Sequence, residues 1–314
     1  MPAPLTRRVV LLSGASAALA GCAASAANVA APSLLNAPAA QLPGSHTLDM
    51  QDPASGHTWR IWLQRPDGPA PAPATGYPVL YTLDGNAAFA LAAQLARNRA
   101  TRPEVLRPDG VLVVSIGHPL DRVIDHPSRA RDYTPPAPGQ PPGAAQGGAD
   151  VLLDFITHTL RPQLAQALPL DPQRQTLFGH SFGGLMVLHT LFTRPRMFTR
   201  YAAASPSIWW NQAQILDSCA RFEAAHAKAP RPFRAQLQLR AGGLENADDA
   251  ATVARAAIQR ERRTLARTEQ LAQRLQTLQW PELAVEFSML PGLDHGAVMA
   301  PALIDALALS QNPA

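Results

Sequence analysis

Lysine is almost absent from this chain of 314 residues. Lys228 is the single lysine, so nearly all of the 27 basic side chains are arginines, and the formal net charge is +4. The arginines are scattered and accompany no helix-turn-helix, zinc-finger or aromatic RNA-binding motif, which argues against a nucleic-acid partner. They fit either the codon usage of a GC-rich genome or an anionic substrate or membrane surface. Several fall in residues 250–278, where most are expected to form a solvated helix face.

Long hydrophobic runs are also missing. The apolar stretch at residues 9–20 is about 12 residues long, whereas a helix needs about 20 to cross a bilayer. Arg7 and Arg8 precede it, as in the charged start of an export signal. The sequence therefore predicts a signal peptide over residues 1–21 and no membrane-spanning anchor.

Cysteine occurs only twice, at Cys22 and Cys219. Residues 19–22 read Leu-Ala-Gly-Cys and are similar to a bacterial lipoprotein cleavage site, which implies a lipid on Cys22 and a periplasmic location. A lipid there leaves Cys219 without a partner for an intramolecular disulfide, so Cys219 is expected to be a small buried apolar residue. The composition of residues 22–43 predicts a flexible tether. Residues 44–314 are the predicted folded domain, which meets the membrane only through the lipid.

Short apolar runs alternate with helical patterns along that domain. Runs typical of buried parallel strands lie at residues 78–83, 111–116, 175–178, 201–204, 235–239 and 283–290. Helical patterns lie at residues 87–97, 149–167, 184–193, 211–227, 250–278 and 300–309. Residues 57–63 alternate as an edge strand would, and the Pro- and Gly-rich residues 135–148 predict a mobile loop. The alternation predicts an α/β fold with a doubly wound, mostly parallel sheet flanked by helices.

Residues 179–184 read Gly-His-Ser-Phe-Gly-Gly and contain a G-x-S-x-G string. The string follows a strand-like run and precedes a helix-like run, which is the strand–turn–helix setting of a nucleophile elbow. Side chains at Gly179 and Gly183 are expected to collide with the neighbouring strand and helix. The setting predicts Ser181 as a nucleophile, beside helix amides that favour developing negative charge. His180 is expected to point away from it and to be structural.

A serine hydroxyl is unreactive at neutral pH without a base. In α/β enzymes whose catalytic residues come in the chain order serine, acid, histidine, the histidine lies in the loop after the last strand. His295 is in that position, and Glu245 follows the strand before it. We therefore predict His295 as the base and Glu245 as the acid. Asp248, Asp249 or a Ser–His dyad without an acid are the alternatives.

Two backbone amides are needed to bind the oxyanion of an acyl-transfer reaction. The first is predicted to be that of Phe182, directly after the nucleophile. The second is predicted to be that of Asn86, in the loop after the strand at residues 78–83. The alternative for this loop is an ordinary Asp-Gly turn.

These stretches together resemble the esterase D branch of α/β-hydrolases, which includes bacterial siderophore esterases and mycolyltransferases. The resemblance rests on residues 83–86, 179–184, 204–207 (Ala-Ser-Pro-Ser) and 294–296. Residues 129–135, Arg-Ala-Arg-Asp-Tyr-Thr-Pro, are similar to the R-x-x-D-Y-T-P segment of periplasmic esterases that open catecholate trilactone siderophores such as enterobactin and salmochelin. The resemblance implies an α/β-hydrolase fold and hydrolysis of a siderophore's serine-ester backbone, without a metal or organic cofactor.

The implied substrate also assigns binding residues. A ferric tris-catecholate is a trianion, so Arg129 and Arg131 are expected to bind it, because arginine suits bidentate or stacked contacts with such ligands. The alternative is that both arginines form salt bridges with Asp125 or Asp132 and only hold the loop. Trp209 is either an aromatic wall for a flat acyl or catechol group or part of the core. We expect the protein to act as a monomer on a small-molecule ester.

Two other functions fit the same residues. One is a carboxylesterase for aryl or feruloyl esters, or an acyltransferase, since a fold alone does not fix the substrate. The other is a non-catalytic periplasmic binding lipoprotein. Comparing the rates of hydrolysis of ferric enterobactin and of aryl esters distinguishes the first function from a siderophore esterase. An ester-hydrolysing activity that is lost in Ser181→Ala excludes the second function.

Overall fold

Eight strands in the described residues form a single sheet. The computed structural model describes residues 37–67, 71–72, 75–101, 110–137, 139–141, 144–229, 232–246 and 252–312. The strands are β1 (Ser45–Gln51), β2 (Thr58–Gln64), β3 (Tyr77–Thr82), β4 (Leu112–Gly117), β5 (Leu170–His180), β6 (Arg200–Ala204), β7 (Ala235–Gly242) and β8 (Leu283–Leu290). Their order in the sheet is β1-β2-β4-β3-β5-β6-β7-β8. β1 and β2 run antiparallel to their neighbours, and β3 to β8 are parallel, so the predicted doubly wound sheet is confirmed.

Helices cover both faces of this sheet. They are α1 (Gly85–Ala100), α2 (His126–Tyr133), α3 (Ala149–Phe155), α4 (Arg161–Ala167), α5 (Phe182–Thr193), α6 (Trp210–Ala213), α7 (Ile215–Lys228), α8 (Val253–Arg262), α9 (Thr264–Thr277) and α10 (Met299–Gln311). A π-helical turn, Ile156–Leu160, joins α3 to α4, and a 3₁₀ turn, Gly243–Glu245, follows β7. α1 and α10 pack on one face, and α5, α7 and α9 lie in the core on the other.

β4 shows why the parallel strands read as continuous apolar runs. Its residues Leu112, Val114 and Ile116 belong to one core cluster, whereas Val113 belongs to the other. Successive side chains of a strand point to opposite faces, and both faces of this sheet are covered. Every position of β4 is therefore buried.

The structure corrects the predicted edge strand and adds a strand and a helix. β2 is not an edge strand, because β1 pairs with it and forms the edge instead. β1 escaped prediction because its side chains are mostly polar and exposed, and only Met50 is buried. α2 has no apolar periodicity; it begins where the Asp125 side chain accepts a hydrogen bond from the Ser128 amide.

The long helix predicted at residues 250–278 is also wrong. It is two helices, α8 and α9, which break at Arg263, a residue in the left-handed conformation with φ 47°. The two helices differ in burial on either side of this break. None of the side chains of α8 is buried, whereas α9 buries five. No helix or strand lies in the described part of residues 135–148, and the mobility of that loop stays a prediction.

Cys219 is fully buried and free, as predicted for a small apolar residue. Burial, helped by the neighbouring Glu223, raises the pKa of its thiol to about 12, which keeps it protonated and unreactive. Within the described ranges, no helix has the length and apolar character needed to cross a bilayer. The same ranges contain no group of three or more His, Cys, Asp or Glu side chains arranged to hold a metal ion. The predicted signal peptide, the lipidated Cys22 and most of the tether lie outside the described residues.

Candidate active site

The G-x-S-x-G string turns sharply between β5 and α5. Ser181 has φ 61° and ψ −115°, a backbone conformation that is strained for a residue with a side chain. The Ser181 amide donates to Ala204 O at 2.9 Å, so the turn is held against the adjacent strand. A Cβ on Gly179 would lie 2.3 Å from Gly183 O, as predicted, whereas a Cβ on Gly183 would make only ordinary contacts from 3.5 Å. The prediction of a collision at Gly183 is therefore wrong.

Three side chains from separate strand ends meet at this turn. His295 Nε2 lies 3.0 Å from Ser181 Oγ, and His295 Nδ1 lies 2.9 Å from Glu245 Oε2. β5, β7 and β8 are parallel, so the loops that follow them converge at the same edge of the sheet. The residues predicted as nucleophile, base and acid are thus in hydrogen-bond contact in that order. The alternative acids Asp248 and Asp249 lie outside the described residues.

The hydrogen bonds of Glu245 determine which ring nitrogen of His295 carries the proton. Burial alone would raise the pKa of Glu245, but bonds from His295, Ser205 and the Gly242 amide outweigh it and hold the pKa below its ordinary value. An ionised carboxylate accepts only, so Nδ1 of His295 carries the hydrogen and donates it to Glu245. Nε2 is then free to accept the proton of Ser181.

The two predicted oxyanion amides begin helices at the same edge of the sheet. Phe182 is the first residue of α5, and Asn86 is the second residue of α1. The first four amides of a helix have no partner within it, so these N–H groups are not used by their own helices. The Asn86 side chain fixes its loop, since Oδ1 accepts from the His118 amide at 2.9 Å and Nδ2 donates to Leu120 O at 2.9 Å.

Arg129 ties the two amide-bearing loops together. Its guanidinium donates to both carboxylate oxygens of Asp84 at 2.6 and 3.0 Å and to His180 O at 3.2 Å. Asp84 has φ 56° and also donates its amide to the Tyr133 hydroxyl at 2.9 Å. The arginine is buried and its carboxylate partner is Asp84, which is neither Asp125 nor Asp132, the two acids considered from the sequence. Its charge is already neutralised inside the protein.

Arg131 is not brought to the Ser181 cleft. It pairs with Asp132 at 2.5 Å, as the loop-holding alternative expected, and lines a separate cavity together with Pro136, Gln140 and Gly147. Asp132 also accepts from Trp59 Nε1 at 2.8 Å and lies 2.9 Å from His118 Nε2. This carboxylate is therefore the centre of a buried network, and Arg131 completes that network from its outer side.

An open cleft of about 270 Å³ leads to Ser181 and His295. Its walls are formed by Ile124, His126, Arg129, Phe182, Trp209 and Arg262. Trp209 lies on this wall, with its ring 6.0 Å from the Phe182 ring and with the Arg262 guanidinium over its ring at 4.5 Å. Trp210, by contrast, is buried in the core. Trp209 is partly buried and also packs against the core cluster, so its placement fits both the aromatic-wall and the core alternatives.

His180 points toward the loop of the base and not away from the site. Its Nε2 donates to the backbone oxygen of His295 at 2.7 Å, and the two imidazole rings lie 4.8 Å apart. Burial, followed by the nearby His295, lowers the pKa of His180 to about 3. His180 is therefore neutral at any pH at which the enzyme is expected to work, and it positions His295 without exchanging protons.

The pKa of His180 predicts how stability depends on pH. The pKa of His180 is 6.5 in the unfolded chain and about 3 in the folded protein. Between these pH values the unfolded chain binds a proton at His180 and the folded protein does not, so the free energy of unfolding decreases as the pH falls through that range. Replacing His180 with glutamine removes this penalty. Between pH 7 and pH 5, the unfolding free energy of the wild type should drop by about 2 kcal/mol more than that of His180→Gln. Urea unfolding at the two pH values measures the difference, and parallel losses would contradict it.

Several residues of this site carried no assigned role in the sequence. Ser205 donates to Glu245 Oε1, and Ser207 Oγ lies 3.3 Å from Ser181 Oγ. Both belong to the Ala-Ser-Pro-Ser stretch of the family resemblance, which was the available signal for them. Asp84 likewise belongs to the stretch at residues 83–86 of that resemblance, although its partner Arg129 lies far away in the sequence. Arg262 gave no such signal, because its contact with Trp209 also joins distant parts of the chain.

Comparison with known proteins shows the family of this chain. The chain matches the family model described as "Putative esterase" over residues 53–281. It is 31% identical over 280 residues to "Ferri-bacillibactin esterase BesA" of Bacillus subtilis, covering 87% of this chain and 91% of that protein. It is 42% identical over 158 residues to "Siderophore enterobactin esterase" of Emericella nidulans, covering 46% of this chain and 50% of that protein.

A solved structure shares the fold over most of its length. "Siderophore hydrolase EstB from Aspergillus nidulans" superposes with a TM-score of 0.77 at 32% sequence identity, covering 88% of this chain and 98% of that chain. The family match extends over more than half of the chain, and the eight-stranded, mostly parallel sheet is flanked by helices as predicted. This chain belongs to the esterase family of α/β-hydrolases.

Proposed function

We propose that this protein is an exported serine esterase that hydrolyses the serine-ester backbone of a catecholate siderophore. The observation that supports it best is the contact of Ser181, His295 and Glu245 at one end of an open cleft. The three relatives described above are all named for siderophores, which indicates the substrate class. An N-terminal signal peptide, a lipid on Cys22 and a monomeric state are part of the same proposal.

The proposed reaction is an acyl transfer in two steps. His295 Nε2 takes the proton of Ser181 as the hydroxyl oxygen attacks the ester carbonyl. The resulting imidazolium is stabilised by ionised Glu245, and the amides of Phe182 and Asn86 bind the oxyanion. His295 then gives the proton to the leaving alcohol, and the acyl group stays on Ser181. A water molecule, deprotonated by the same imidazole, releases the carboxylic acid and restores the serine.

The substrate assignment is tested by comparing two esters with the mature protein. Purified protein is incubated with ferric enterobactin and, separately, with p-nitrophenyl butyrate, and kcat/KM is measured for each. A far larger value for the siderophore, with release of the linear catecholoyl-serine products, is expected. Fast turnover of the aryl ester with intact siderophore would retain the serine mechanism and favour an aryl or feruloyl carboxylesterase instead.

A further inference from the structure

Arg262 is the last residue of α8, and its guanidinium stands over the indole of Trp209, 4.5 Å from the ring. Both side chains line the cleft that contains Ser181. Most arginines of this region are expected from the sequence to be solvated, yet this one, directly before the break at Arg263, lines the cleft. A stacked guanidinium keeps its N–H edge free, because the contact with the ring uses only its face.

Other arginines around the site are already paired. Arg129 is neutralised by Asp84, Arg131 by Asp132, and Arg255 by Asp294 at 2.9 Å. Across the described part of the chain, no carboxylate lies within ion-pair distance of Arg262. Of the two arginines among the described residues of the cleft wall, Arg129 is paired and Arg262 carries a positive charge without a carboxylate partner.

α8 holds Arg262 in a fixed relation to the reacting groups. Arg255 joins α8 to Asp294, next to the base, and Gln259 Nε2 donates to Leu244 O at 2.6 Å, next to the acid. Both bonds link α8 to loops that follow β7 and β8. These two bonds anchor α8, and with it Arg262, beside the catalytic loops, although the helix buries no side chain of its own.

We propose that Arg262 and Trp209 form an anion subsite, which binds a negatively charged aromatic group of the substrate. This inference rests on the ester hydrolysis proposed above and names the charge of the substrate it favours. The cleft, at about 270 Å³, is at the small end of ligand pockets, so it holds the ester and one arm of a larger molecule. Trp209 stacks against the ring of that arm, and the guanidinium edge donates to its carboxylate or phenolate oxygens.

The test uses two pairs of esters that differ in one negative charge. In the first pair the charge is on the alcohol: 4-butyryloxybenzoate against its methyl ester. In the second it is on the acyl chain: mono-4-nitrophenyl adipate against 4-nitrophenyl methyl adipate. For each pair, the anionic-to-neutral ratio of kcat/KM is measured in the wild type, Arg262→Gln, Arg262→Lys and Arg260→Gln. Arg260 lies on the same helix, is exposed, and provides the matched control for loss of one charge.

Arg262→Gln is expected to lower the ratio about tenfold in at least one pair, since a charge-assisted hydrogen bond is lost. Arg262→Lys should retain part of the ratio, because it keeps the charge without the planar fork. Added salt should lower the wild-type ratio, and Arg260→Gln should leave it unchanged. An unchanged ratio in both pairs for Arg262→Gln overturns the subsite.

The outcomes also separate this inference from the substrate assignment. If ferric enterobactin stays intact while Arg262→Gln loses the anionic preference, the siderophore assignment fails and the subsite stands. If the siderophore is hydrolysed and the ratio does not change, the assignment stands and the subsite fails.

Discussion

Replacing Ser181 with alanine is expected to lower kcat for p-nitrophenyl butyrate by about 10⁴-fold or more. The variant has no hydroxyl for His295 to deprotonate, so no acyl-enzyme forms, and only binding and the oxyanion amides remain to assist direct attack by water. Initial rates with purified protein measure the loss. His295→Ala should lose about as much, and the double variant no more than either one, because the two groups act as a unit.

Ser207→Ala is the matched control for this prediction. Its hydroxyl lies 3.3 Å from Ser181 Oγ, whereas the two imidazole nitrogens of His295 face Ser181 and Glu245. It has no proposed chemical role, so its loss should lower kcat by less than about tenfold. A Ser181→Ala variant that hydrolyses the ester as fast as Ser207→Ala would exclude Ser181 as the nucleophile. If the wild type is itself inactive on every ester, the binding-lipoprotein alternative gains support.

Replacing Glu245 with glutamine is expected to lower kcat by about 10³- to 10⁴-fold while the fold is retained. The amide keeps the size of the side chain but donates its N–H to Nδ1, so the hydrogen of the imidazole moves to Nε2. That nitrogen then cannot accept the proton of Ser181. The positive charge that forms on His295 also loses its counter-charge. The measurement is kcat for p-nitrophenyl butyrate, with thermal unfolding to verify the fold.

Asp294→Asn supplies the comparison, because Asp294 is the carboxylate next to His295 in sequence. It pairs with Arg255 and accepts from the amides of Gly296 and Ala297, and it does not bond to the imidazole. Its replacement should therefore lower kcat by less than about tenfold. Equal and small losses for Glu245→Gln and Asp294→Asn would favour the Ser–His dyad.

The sequence located the site through the ends of its strands. Buried parallel strands are short apolar runs between helical patterns, and the loops after them meet at one edge of the sheet. Ser181, Glu245 and His295 were chosen from such loops, and the structure brings them into contact. Their catalytic roles remain proposals until the variants are measured.

What escaped prediction depends on pairings over long distances in the chain. Arg129 was assigned to substrate from its motif, but its bidentate partner Asp84 lies 45 residues away, after a different strand. Arg262 contacts Trp209 from the end of a helix that stops at Arg263, whose left-handed conformation nothing in the local sequence demands. Hydrophobic periodicity reports which face of an element is buried, and it carries no information about such side-chain partners.

The exposed course of α8 separates recognition from folding. Since none of its side chains is buried, substitutions along it change little of the free energy that keeps the sheet and its helices together. Ser181, Glu245 and His295 instead follow strands of the buried sheet, where substitutions are restricted because they would destabilise the fold. Selection can therefore alter which ester is preferred by changing one surface helix, while the chemistry beneath it stays constant. A library randomised along α8, with Arg255 and Gln259 retained because they bond to the catalytic loops, is accordingly the starting point for redirecting this enzyme to another ester.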